Sequence, residues 1–128
     1  MHEIIKEYVL GDMKAVYHRE TETGKTGLYL LPAGRECVPW ESKKQSVDSL
    51  VQLKCCGDTY MGAYAGGVTM REGETVQMLS YSGQQVNEED AVTEIVTELK
   101  SRKGYLVRHY LRWYKGEKSV EIQTELVN

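Results

Sequence analysis

The chain has 128 residues, which is one domain's worth and long enough to bury a core. Hydrophobic residues at 41% and charged residues at 27% are ordinary globular values, which exclude a disordered or fibrous chain. Sixteen basic against nineteen acidic residues leave a net charge of −3, no electrostatic footprint for nucleic acid or an anionic membrane surface.

The N-terminal run Met1-His2-Glu3-Ile4-Ile5-Lys6-Glu7 mixes charge with apolar residues and does not read as a signal peptide. Extended character ends at Gly11-Asp12 and resumes over residues 13–19. Residues 21–27 form a polar turn with Gly24 and Gly27. Leu28-Tyr29-Leu30-Leu31 reads as a short buried strand stopped by Pro32. Residues 32–47 hold both prolines and read as a long loop. From Leu50 to Cys56, alternating positions predict another strand, with Val51, Leu53 and Cys55 on one side. Residues 57–73 carry five glycines and neither helical nor strand periodicity. Residues 75–86 return to strand character.

The last third is the clearest. Thr93, Ile95, Thr97 and Leu99 alternate with Glu94, Val96, Glu98 and Lys100. Tyr105, Val107, His109, Leu111 and Trp113 share one face of the next strand, and Leu106, Arg108, Tyr110, Arg112 and Tyr114 the other. After a turn at 115–118, Val120, Ile122, Thr124 and Leu126 oppose Ser119, Glu121, Gln123 and Glu125. Period-two alternation between short glycine turns predicts a single all-β domain over 1–128, an antiparallel β-sandwich. A helix near 88–99 is excluded because its β-branched residues alternate. With nine Tyr, two Trp and no Phe, the core is filled by aliphatics and by Tyr, whose hydroxyls need partners.

Cys37, Cys55 and Cys56 have no metal-ligand spacing, and the adjacent pair is badly placed for a bridge. They read as buried apolar thiols in a reducing, cytoplasmic setting. His18 and His109 read as strand histidines rather than catalytic bases, since no nucleophile pattern accompanies them. The glycine-rich loop lacks the Gly-Lys-Ser/Thr of a phosphate loop. It does gather Asp58, Tyr60, Tyr64 and Arg71, side chains suited to a polar ligand such as a sugar. No spacing pairs two carboxylates for glycoside hydrolysis, and Glu88-Glu89-Asp90 reads as a solvated turn. The stripe of Arg108, Tyr110, Arg112 and Tyr114 could stack on single-stranded nucleic acid, but ion pairing to Glu121 and Glu125 is the better reading. No cofactor or metal is implied.

The order of Asp48-Ser49-Leu50-Val51-Gln52-Leu53-Lys54, Gly57-Asp58, Gly67-Val68-Thr69-Met70-Arg71, residues 92–97 and residues 109–116 resembles the N-terminal β-domain of α-galactosidases of glycoside hydrolase family 36. The resemblance spans roughly residues 8–128 and departs from the pattern at Cys55-Cys56 and Met61. It implies a galactose-mutarotase-like supersandwich that precedes a catalytic barrel bearing two aspartates, with further strands after Asn128. No residue of this chain inherits a catalytic role. The implied function is a non-catalytic β-domain that packs on the barrel and helps shape its sugar site. Trp40, Asp48, Asp58, Tyr60 and Arg71 are then the expected contacts to a galactoside-type carbohydrate. The alternative is a stand-alone carbohydrate-binding or oligomerising module, with self-association through exposed sheet edges.

Overall fold

The computed structural model describes residues 2–34, 49–58 and 73–128. Trp40, Asp48, Tyr60 and Arg71, together with Cys37, most of the 32–47 loop and most of the glycine-rich segment, lie outside them. Among the described residues, seven strands and one helical turn follow in order: β1 (His2–Leu10), β2 (Met13–Glu20), β3 (Thr26–Pro32), α1 (Glu74–Gln77), β4 (Leu79–Glu88), β5 (Val92–Ser101), β6 (Leu106–Tyr114) and β7 (Glu121–Val127). They form two antiparallel meanders, β1-β2-β3 and β4-β5-β6-β7, which make the expected β-sandwich.

The alternation in the sequence becomes the division between inside and outside. Thr93, Ile95, Thr97 and Leu99 of β5 are buried, as are Val107, His109, Leu111 and Trp113 of β6. Leu10, Ala15 and Tyr17 from the small sheet pack on Ile95, Leu111 and Trp113 of the large one. Each large apolar side chain buried there contributes about 1.5–3 kcal/mol. A polar chain also crosses between the sheets: the Tyr8 hydroxyl donates to Gln84 Oε1 at 2.6 Å, and Gln84 Nε2 donates to Thr97 Oγ1 at 2.9 Å. This gives one core tyrosine the partner its hydroxyl requires. His18 and His109 stand on strands and are buried, and burial pushes the His109 imidazole below its ordinary pKa.

Four expectations change. Residues 51–55 alternate as read, with Val51 buried and Gln52 and Lys54 exposed, but they join no ladder. They lie instead over Leu79, Leu99 and Val107 as a cover for the second core cluster. Residues 74–77 are helical, although Thr75 and Val76 favour strands, so strand structure resumes only at Leu79. β3 is an edge strand with Tyr29 and Leu30 exposed, because among the described residues β2 is its one ladder partner, and its Pro32 is tolerated at that edge. Cys56 is exposed and Cys55 half-buried, both as free thiols rather than apolar core.

Candidate functional site

The outer face of the large sheet carries three cross-strand rows. Antiparallel register aligns Gly83, Glu98, Arg108 and Glu125 in the first. The second is Gln85, Val96, Tyr110 and Gln123, and the third is Asn87, Glu94, Arg112 and Glu121. The β4–β5 register shifts between Tyr81 and Gly83, a bulge that re-aims β4 and increases local twist. Between the β4, β5 and β6 ends of these rows lies an open trough of about 530 Å³.

Ion pairs hold its walls. Arg112 Nε meets Glu94 Oε2 at 2.6 Å, while its Nη1 meets Gln123 Oε1 at 2.7 Å and Glu121 Oε1 at 3.3 Å. Arg108 Nη1 meets Glu125 Oε1 at 2.8 Å, and its Nε lies 3.5 Å from Glu98 Oε2. These are the cross-strand pairs expected for the arginine–tyrosine stripe. Asn87 Nδ2 donates to Glu94 Oε1 at 3.2 Å. At the centre stand Val96 and Tyr110, with the Arg112 guanidinium 5.1 Å from the Tyr110 ring centroid. The result is a small apolar patch framed by amides, carboxylates and guanidinium groups.

Glu94 and Glu98 do not have the geometry of a glycosidase pair. Arg112, and then the Asn87 amide, hold the Glu94 carboxyl below its ordinary pKa, whereas a general acid needs a raised one. Glu94 and Glu98 stand four residues apart on one strand, about 13 Å along it. A glycosidase pair is only about 5–9.5 Å apart.

A second polar cluster holds the only described member of the sequence-derived set. Asp58 Oδ2 accepts the Cys55 amide at 2.8 Å and the Thr75 hydroxyl, and Oδ1 accepts Lys103 Nζ at 3.1 Å. Its side chain is 2% exposed. The Thr75 hydroxyl, the Cys55 amide and Lys103 together hold the carboxyl down to about 2. The same hydroxyl, followed by that of Tyr105 at 3.5 Å, draws the Cys55 thiol below its ordinary value. Asp58 thus ties the 55–58 turn to α1 and to the β5–β6 connection.

No family model, curated protein or solved structure matches this chain. Its sites are therefore read from its own geometry. Among the described residues, no helix is long and apolar enough to cross a membrane, and no three His, Cys, Asp or Glu are grouped to hold a metal ion.

The sequence sets Glu94 and Glu98 on one side of their strand and Arg108 and Tyr110 in an ion-paired stripe, and assigns Gly83, Gln85 and Asn87 to no face. The repeated charged–apolar–charged pattern Glu94-x-Val96-x-Glu98, opposite Arg108-x-Tyr110-x-Arg112, was the available signal.

Asp58 also gives a pH prediction. Its folded pKa lies below the ordinary 3.8, so its stabilisation is complete above that value and is lost as pH falls toward 2. Asp58→Asn should melt below the parent at neutral pH, with a gap that narrows between about pH 4 and pH 2. Thermal melts across that range check this; a gap independent of pH contradicts an ionised Asp58 at the centre of the cluster.

Proposed function

We propose that the chain is a non-catalytic β-sandwich module that contacts carbohydrate. Its setting would be an α-galactosidase-like hydrolase, in which it packs on a catalytic barrel and helps shape the sugar site. The observation that carries the carbohydrate reading is the trough on the β4–β6 face, where Tyr110 and Val96 sit inside a polar frame. A sugar ring has an apolar face and a rim of hydroxyls. Tyr110 offers surface to the former. Gln85, Asn87, Glu94, Glu98 and Arg108 offer donors and acceptors to the latter, already oriented by one another. The two-sheet fold agrees with the class that the resemblance implies. A stand-alone binding module is the second reading, favoured by the trough's place on the outer face, away from the core between the sheets.

Calorimetric titration of the chain with methyl α-galactoside and α-galactosyl oligosaccharides tests this. Saturable binding is expected. A Cβ at Gly83 would meet nothing within 4 Å, so Gly83→Trp should fold normally and fill the trough, which removes binding. Tyr110→Ala should weaken it about tenfold, the scale of one lost aromatic contact. Absence of binding to every galactoside, or binding indifferent to both substitutions, overturns the proposal.

A further inference from the structure

Among the described residues, four strands stand at the end of a sheet, and three of these carry a device that discourages pairing. β1 has a register shift between Ile4 and Lys6 and presents Lys6. β3 ends in Pro32. β4 has the shift between Tyr81 and Gly83. The fourth, β7, pairs with β6 without a shift and contains no Pro, Gly or Lys in Glu121–Val127. It also leaves Ile122 and Leu126 at 51% and 56% exposure, on the face where their β6 neighbours Leu111 and Val107 are buried. A regular strand edge with no bulge, Pro or Lys beside an apolar strip is a template for another strand, and Glu121 and Glu125 restrict which strand can lie opposite it.

The sequence of β7 selects the occupant. An antiparallel pair of identical strands is related by a two-fold axis normal to the sheet, so one residue faces its own copy. Centred on Thr124, Ile122 lies opposite the second copy's Leu126 and Gln123 opposite its Glu125. Every direct opposition is then apolar to apolar, hydroxyl to hydroxyl or amide to carboxylate, apart from Glu121 against Val127 at the ends. Centring on Gln123 sets Glu121 against Glu125, and centring on Glu125 sets that carboxylate against itself. Like charges directly opposite are unfavourable. We infer that β7 pairs antiparallel with β7 of a second copy, in the Thr124-centred register, to form a continuous eight-stranded sheet. The axis keeps equivalent faces together, so both troughs open on the same side. The pairing does not depend on what the troughs hold. One strand edge buries little area, so the dimer is a weak one.

Sedimentation of the 128-residue chain across concentrations should show a reversible monomer–dimer equilibrium. Ile122→Lys removes both Ile–Leu oppositions at an exposed position and should weaken dimerisation about tenfold. Mild oxidation reads the register. Thr124→Cys should cross-link well above the wild-type level set by Cys37, Cys55 and Cys56, because directly opposed residues lie within disulfide reach. Gln123→Cys should not, since its own copy is displaced diagonally. A monomer at every concentration overturns the pairing. Equal cross-linking of the two cysteine variants, or a dimer unaffected by Ile122→Lys, overturns it as well.

Discussion

Trp113→Ala should cost about 3–5 kcal/mol, a large share of the 5–15 kcal/mol that holds a small domain together. Trp113 is 9% exposed and packs with Leu10, Ala15, Tyr17, Ile95 and Leu111 where the two sheets meet. Its Nε1–H donates to the Glu117 carbonyl at 2.8 Å, which ties the β6–β7 connection to the core. Truncation therefore opens a cavity, loses an aromatic surface and leaves that carbonyl without its donor. Gly11 provides an internal check. It turns the chain between β1 and β2 at φ +66°, and a Cβ there would stand 2.9 Å from Trp113 Cζ2. Gly11→Ala should cost about 1–2 kcal/mol for the left-handed backbone, plus a steric penalty against the indole. In a Trp113→Ala background only the backbone part should remain. Denaturant melts of the two single variants and the double variant measure this coupling. Strict additivity would contradict the close approach.

Leu99→Ala should cost about 2–5 kcal/mol and should act at the opposite end of the large sheet. Leu99 is 1% exposed in a cluster with Val51, Leu79 and Val107, lidded by Leu50 and Leu53. The cover over this cluster is the 49–58 segment, which has no ladder of its own and is anchored by the Leu50 amide on the Thr26 carbonyl at 2.8 Å. The cavity should loosen that segment first. Amide exchange at Val51 and Cys55 should accelerate more than exchange in β1 and β2. Equal acceleration everywhere would mean that the cover is not a separate unit.

The fold was legible where alternation coincides with pairing. β5 and β6 follow it residue by residue, because both strands are covered on one face and open on the other. Alternation assigns faces but does not say what covers them. Ile122 and Leu126 of β7 keep the expected side and remain exposed, because the small sheet reaches β5 and β6 and stops. Val51 and Leu53 alternate with Gln52 and Lys54 for a different reason, since they lie on a core without a neighbouring strand in a ladder. Asp58 was visible as a polar residue in a glycine-rich turn. Its partners Thr75 and Lys103 stand 17 and 45 residues away, so the cluster around it could not be read locally. The trough depends on the bulge near Gly83, which places Gly83, Gln85 and Asn87 at the ends of the three rows. Nothing in the local pattern of residues 75–86 marks that shift of register.

The most direct test of the account is amide chemical-shift mapping of the chain with an α-galactosyl oligosaccharide. The account predicts saturable shifts confined to 83–87, 94–98 and 108–112, all lost in Gly83→Trp. Shifts centred on the Asp58 turn and its neighbouring loop, or none at any concentration, would contradict it.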